Sequence, residues 1–220
     1  MADLILRAAT LVDGTGADPV RNADVVVRDG RIVSVGPTEP AVTDTCVIDY
    51  GDATIMPGLI DCHCHLQFGA YSAHEKVRLV HAGASNEERI LTAVANAQKA
   101  LATGVTTLRD TGGFLTLNMS VRDAFVNGRV AGPRLLVCGA PITTTAGHLN
   151  WCGLRADSED EVVRAVRAMV EAGADFIKVM ATGGMMTPGS QAGESQYDLQ
   201  TLGSLVTDAH RLDRHVAAHV

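Results

Sequence analysis

From residue 57 onward, short apolar runs alternate with longer segments of helical periodicity. The apolar runs are residues 59–66, 105–110, 133–139, 176–180 and 215–220. Nearly continuous apolar runs are typical of strands buried on both faces, and their alternation with helices predicts parallel β-α-β units. Five such strands fit either an open doubly wound sheet or part of a (β/α)8 TIM barrel. No G-x-G-x-x-G follows the first strand, which argues against a dinucleotide-binding fold.

The intervening helices carry their own start and stop signals. Ser85 with Glu88, and Ser158 with Glu161, have the spacing of a capping box. A further helix is predicted around residues 119–127, and another one carries apolar residues from 202 to 212. A polar loop is predicted up to about residue 83, and a long loop holding His148, Trp151 and Arg155 follows the third strand.

Residues 1–56 have a different, all-β pattern. Asp29-Gly30 stands between two β-branched runs, which is a strong signal for a β-hairpin. We therefore expect two domains: a small N-terminal β-sandwich segment over residues 1–56 and an α/β barrel portion over residues 57–220.

Composition excludes several classes of protein. The net charge is −7 and the basic residues form no run, so no nucleic-acid partner is expected. No signal-like N-terminus and no membrane-length apolar run are present, which predicts a soluble cytoplasmic protein without a membrane partner. The five cysteines include no C-x-x-C pair, which argues against a disulfide framework.

Two histidines in the first strand are spaced to face the same way. His63 and His65 are two residues apart, and side chains alternate between the faces of a strand. Two imidazoles at one strand end can chelate a divalent metal ion. Cys62 and Cys64 have the opposite parity and are predicted to pack as small apolar groups. From this pair alone, two polar residues at a strand terminus remain as good an interpretation as a chelate.

Further polar residues lie at or near the ends of the later strands. They are Asp110, His148, Lys178 and His219. In a barrel, the carboxyl ends of the strands carry the catalytic groups. His74, His81 and His210 fall in loops or helices and are predicted to be exposed or locally bonded. His215 begins the fifth strand, about 13 Å from its far end at roughly 3.3 Å per residue, so it is not assigned to the site.

Lys178 is one of only three lysines, and it alone lies inside an apolar strand. A buried ammonium is costly, and both desolvation and nearby cations lower the pKa of a lysine. A neutral amine can react with carbon dioxide to give a carbamate, an anionic bidentate ligand that can bridge two metals. A lysine whose amine reaches solvent from a strand end is the alternative interpretation.

Together these residues resemble the amidohydrolase superfamily, and within it the imidazolonepropionase-like proteins and Xaa-Pro dipeptidases (prolidases). The resemblance rests on the Pro-Gly-Leu-Ile-Asp lead-in to His63 and His65, the lysine of the fourth strand and the histidine ending the fifth. It is supported by stretches at residues 106–110, 139–148, 173–178 and 217–219.

The resemblance implies that the metal ligands are His63, His65, His219 and a carboxylated Lys178 bridging two divalent ions, with zinc the expected metal. It implies a hydroxide bridging the two metals that attacks the amide carbonyl of a small N-acyl amino acid or dipeptide. By position, His148 would polarise the carbonyl or hold the substrate, and Arg155 would meet a substrate carboxylate.

The family pattern also needs a histidine after the sixth strand and an aspartate after the eighth. We therefore expect these residues to be supplied outside the 220 residues, and we expect this portion alone to be inactive. The full-length form is expected to be a homo-oligomer. Two other functions remain open: a non-catalytic scaffold with the same fold, and a single-metal deaminase of the superfamily, whose sites usually lack the fourth-strand lysine.

Overall fold

The computed structural model describes residues 4–38, 45–71 and 73–220, which form two compact units divided after Gly58. The predicted boundary after residue 56 lies close to this division. Residues 1–3 and 39–44 of the predicted sandwich segment lie outside the described residues.

The N-terminal unit is a single sheet of five strands. The strands are β1 (Leu4–Leu11), β2 (Val20–Arg28), β3 (Arg31–Pro37), β4 (Cys46–Asp49) and β5 (Thr54–Ile55). Their order is β3-β2-β1-β4, with β5 also paired to β1. Asp29 and Gly30 both have positive φ and join β2 to antiparallel β3, which confirms the predicted hairpin. The described residues of this unit form one layer, so the second layer of a sandwich is not seen among them.

The second unit contains the alternating strands and helices. Its strands are β6 (Leu59–Cys64), β7 (Val105–Asp110), β8 (Arg134–Val137), β9 (Ile142–Thr143), β10 (Leu154–Arg155), β11 (Ile177–Met180) and β12 (Val216–His219). Its helices are α1 (His74–Ala82), α2 (Asn86–Ala102), α3 (Leu117–Val126), α4 (Glu159–Glu171) and α5 (Leu199–Arg211). All strand pairs are parallel, as predicted. Two predictions were incomplete: α1 occupies most of the predicted polar loop, and the long loop after β8 contains β9 and β10.

The parallel strands form two sheets, β6-β7-β8 and β10-β9-β11-β12. Among the described residues, hydrogen bonds of Asp175 link the two sheets: its backbone N–H donates to the Val137 carbonyl, and one of its carboxylate oxygens accepts from the Val137 N–H, each at 2.8 Å. Arg122 donates to the same carboxylate at 3.0 Å. The side chain of Asp175 thus takes the place of a strand partner at this seam. An apolar core between the strands and helices, including Leu108, Val137 and Ile177, supports the unit.

The two predicted capping boxes have different outcomes. Ser85 accepts from the Glu88 N–H and the Glu88 carboxylate accepts from the Ser85 N–H, which confirms the first box. The Ser158 side chain makes no capping hydrogen bond. Glu161 instead accepts from the Asp157 N–H at 2.7 Å, one residue before the cap, so the second prediction was wrong.

Among the described residues, no helix has the length and apolar character needed to cross a bilayer.

The two serines form a matched pair for a stability test. Ser85→Ala is expected to lower the free energy of unfolding by about 1 kcal/mol, because it removes a capping acceptor. Ser158→Ala removes no capping bond, so its cost is expected to be at most a few tenths of a kcal/mol. Urea denaturation of both variants measures the difference, and equal losses would contradict the distinction between the two caps.

Candidate metal centre

The first two candidate ligands lie together at the carboxyl end of β6. The rings of His63 and His65 have centroids 5.5 Å apart in an edge-to-face arrangement, as expected for residues on one face. Cys64, which lies between the two histidines, packs against the core as predicted. Cys62 is exposed rather than packed.

Lys178 and His219 come from adjacent strands. In the parallel pair of β11 and β12, His219 lies opposite Met180, two residues beyond Lys178. Because residues two apart share a face, Lys178 and His219 project from the same side of the sheet. The Lys178 side chain is 1% exposed and is among the largest fully buried side chains.

His148 joins this group from the segment that follows β9. Its ring stacks on that of His219, with centroids 4.6 Å apart. Its backbone is fixed on both sides, because its N–H donates to the Gln196 amide oxygen and its carbonyl accepts from Thr143 Oγ1. The backbone of Gly184 lies against the ring, where a Cβ would come within 2.6 Å of Cε1. The loop after β11 therefore requires glycine at this position.

The pKa values of all four histidines are lowered. For His63, His65, His148 and His219, burial is the main cause, and positive charge on Lys178 contributes to each shift. The pKa values of His65 and His148 fall to about 4. Neutral imidazoles, which keep a lone pair for a metal, are thus favoured near pH 7.

Lys178 is also shifted towards its neutral form. Its pKa falls to about 8, mainly because of burial; Cys138 acts in the opposite direction, and the nearby guanidinium of Arg109 contributes to the fall. Among the described residues, no carboxylate pairs with its amine through an ion pair or hydrogen bond. The sequence-based expectation of a desolvated lysine beside other cations thus agrees with the structure.

His65 is held by the turn that follows β7. Its Nδ1 lies 2.7 Å from the Gly112 carbonyl oxygen, which can only accept a hydrogen bond. Nδ1 therefore carries the proton, and Nε2 keeps its lone pair. Thr111 Oγ1 lies 3.2 Å from Nε2, but Cys64 O offers that hydroxyl another acceptor at 3.0 Å. This tautomer is the one required of a ligand that binds metal through Nε2.

The predicted ligands fit divalent transition metals such as zinc, since His63, His65 and His219 supply three neutral imidazoles and Lys178 supplies one desolvated amine. These side chains are not arranged as a preformed metal site. Among the described residues, no three His, Cys, Asp or Glu side chains are grouped closely enough to hold an ion. The histidines instead form two pairs, His63 with His65 and His148 with His219. The remaining nitrogen ligand is the amine of a lysine.

Two other residues clarify the limits of the site. Arg155 lies exposed on β10, where its Nε donates to the Asn150 carbonyl at 3.1 Å; no described contact links it to the histidines. Asp110 is fully buried at the end of β7, and burial raises its pKa to about 6. Its strand-end position was visible in the sequence, but no pattern assigned it a role.

Comparison with known proteins identifies the family of the chain. Residues 54–220 match the model of the amidohydrolase family. The chain belongs to the amidohydrolase family.

This amidohydrolase chain is 31% identical to ochratoxinase of Aspergillus niger over 249 residues, covering 98% of the chain and 50% of ochratoxinase. It is 34% identical to imidazolonepropionase of a Bradyrhizobium species over 170 residues, covering 74% of the chain and 37% of that enzyme. The crystal structure of a Xaa-Pro dipeptidase with methionine bound in its active site superposes with a TM-score of 0.89 at 26% identity. That match covers the whole chain and 57% of the dipeptidase. The amidohydrolase chain thus spans about half of the length of ochratoxinase and a smaller share of the imidazolonepropionase.

Proposed function

We propose that the protein is a metal-dependent hydrolase that cleaves a carbon–nitrogen bond in a small N-acyl amino acid or dipeptide. The observation that carries the proposal is the buried Lys178, which has no carboxylate partner among the described residues and whose charge acts on four histidines. A purely structural role does not explain a lysine in this position, because burial of an unpaired ammonium is costly. The similarity to ochratoxinase and to a Xaa-Pro dipeptidase supports amides and peptides as the substrate class.

The residues that would hold two divalent ions are His63, His65, Lys178 and His219, with zinc the proposed metal. The neutral Lys178 amine can add to carbon dioxide, forming a C–N bond and releasing a proton. The resulting carbamate supplies the negative charge that the cluster of described side chains otherwise lacks. When bound, the ions supply Lewis-acid polarisation of a carbonyl and lower the pKa of a water molecule.

His148 is proposed to hold the substrate rather than a metal. Its Nδ1 is buried and has no hydrogen-bond partner among the described residues. A buried polar atom without a partner suggests an absent ligand. A fixed, neutral imidazole there can donate a hydrogen bond to a substrate carbonyl oxygen.

The exposed guanidinium of Arg155 is proposed to contact a carboxylate of the substrate. We further propose that the chain forms part of a complete (β/α)8 barrel, in a cytoplasmic, homo-oligomeric protein.

Removal of metal is expected to abolish activity in the protein expressed from its complete gene. The assay measures hydrolysis of a panel of dipeptides and N-acyl amino acids before chelation, after chelation and after addition of zinc. His63→Ala and His219→Ala are expected to lower kcat/KM by at least about 100-fold. Mutating a residue that only orients a metal ligand typically costs about 10- to 100-fold, and loss of the ligand itself should cost more. His210→Ala, at an exposed position on α5, is the matched control and should retain activity. Full activity after complete metal removal would exclude the proposed mechanism, and failure of the zinc-loaded protein to cleave any C–N substrate would exclude the substrate class.

A further inference from the structure

A buried carboxylate lies directly behind the first pair of histidines. Asp110 is 0% exposed, and one of its oxygens accepts a hydrogen bond from the Gly112 N–H at 2.9 Å. The Gly112 carbonyl in turn accepts from His65 Nδ1 at 2.7 Å. Two hydrogen bonds therefore connect Asp110 to the imidazole of His65.

We propose that Asp110 is a positioning residue that fixes the orientation and tautomer of His65. The inference deepens the proposed function, on which it rests for the role of His65 as a metal ligand. Metal-bound histidines commonly use their second ring nitrogen to donate to a carboxylate or carbonyl, which sets the ring orientation. Here the carbonyl belongs to a turn, and the carboxylate fixes the turn instead of contacting the ring.

The turn has a backbone conformation that glycine adopts readily and other residues do not. Gly112 has φ +107°, a region that side-chain-bearing residues rarely adopt. A Cβ at this position would come within 2.9 Å of both the Gly139 carbonyl oxygen and Pro141 Cδ. The hydrogen bond from Gly112 N–H to Asp110 orients the peptide just before the glycine whose carbonyl meets His65.

The same turn is also hydrogen-bonded to the strand that carries the histidine. The Thr111 N–H donates to the Cys64 carbonyl at 2.8 Å, and Thr111 Oγ1 lies 3.0 Å from the same oxygen. Cys64 immediately precedes His65 and lies opposite Asp110 in the strand register. The turn therefore fixes both the backbone beside His65 and its ring.

The test compares two substitutions at Asp110. Asp110→Ala removes the acceptor of the Gly112 N–H, whereas Asp110→Asn keeps an oxygen able to accept it. Protein labelled with 15N-histidine and stripped of metal reports the tautomer through long-range 1H–15N correlations, with the His65 signal identified by its loss in His65→Gln. Asp110→Ala should convert His65 from the Nδ1–H form to a mixture of tautomers and weaken zinc binding by 10- to 100-fold, measured by competition with a chromophoric chelator. Asp110→Asn should restore the single tautomer and bring zinc affinity to within about threefold of the original.

A control for general destabilisation is available at Asp175. Its carboxylate also accepts a backbone N–H, that of Val137, but it makes no described contact with the histidines. Asp175→Ala should therefore leave the His65 tautomer unchanged. A single Nδ1–H tautomer together with undiminished zinc affinity in Asp110→Ala would overturn the inference. If the unsubstituted protein binds no zinc, the proposed function fails, while the tautomer comparison still decides whether Asp110 positions His65.

Discussion

Lys178→Ala is expected to abolish hydrolysis, with kcat/KM falling by at least about 1,000-fold, and to reduce the bound metal from two equivalents to one or none. The substitution removes the one lysine that is buried among the described residues, and with it the amine that can become an anionic bridge beside the histidines. Metal content by mass spectrometry and steady-state kinetics measure the two effects. Because Lys99 is exposed on α2, Lys99→Ala is the matched control and should keep both metals and full activity.

Chemical rescue separates loss of the ligand from loss of the fold. Short carboxylic acids such as acetate can occupy the space left by the lysine and supply the missing oxygens. They should restore part of the activity to Lys178→Ala, and they should have no effect on the unsubstituted protein. In Lys178→Met, a side chain of similar length replaces the unpaired amine, so metal-free stability should be unchanged or higher, since burying an unpaired charge is costly. Two bound metals and normal kcat/KM in Lys178→Ala would contradict the assignment.

Gly112→Ala is expected to destabilise the protein by about 3 kcal/mol, measured by urea denaturation. The new Cβ meets backbone and ring atoms at 2.9 Å, which cannot move away as the end of a flexible side chain can. Positive φ adds a smaller cost of roughly 1 kcal/mol.

Gly104→Ala isolates that smaller cost. Gly104 has φ +92°, close to the value for Gly112, but a Cβ there meets no atom within 4 Å. Its expected loss is about 1 kcal/mol. Equal losses in the two variants would show that the crowding around Gly112 relaxes without cost, contrary to the geometry.

Features set by neighbouring residues were predicted well from the sequence. The hairpin at Asp29-Gly30, the Ser85 cap and the shared face of His63 and His65 depend on backbone preferences and on the two-residue period of a strand. The isolation of Lys178 in an apolar run likewise predicted its burial.

Features set by tertiary contacts were missed or wrong. The Ser158 box has the correct residue types, but Glu161 reaches Asp157 instead, a choice of partner that spacing does not determine. Helix α1 lies in a segment whose composition predicts a polar loop. The short strands β9 and β10 have only two residues each and are held by neighbours distant in sequence. The link from Asp110 through Gly112 to His65 includes a hydrogen bond between His65 and Gly112, which are 47 positions apart, so no local pattern reveals it.

The seam at Asp175 bears on how such a scaffold tolerates insertions. Among the described residues, Asp175 alone, through its backbone N–H and its carboxylate, joins β8 to the segment before β11, so no extended ladder of hydrogen bonds fixes a common register there. Between them, β9 pairs with β11 at Ile142 and Val179, so changes in length are expected in the loops around β9 and β10 rather than in these strands. Insertions in these loops are the change that the paired strands bearing Lys178 and His219 should tolerate best.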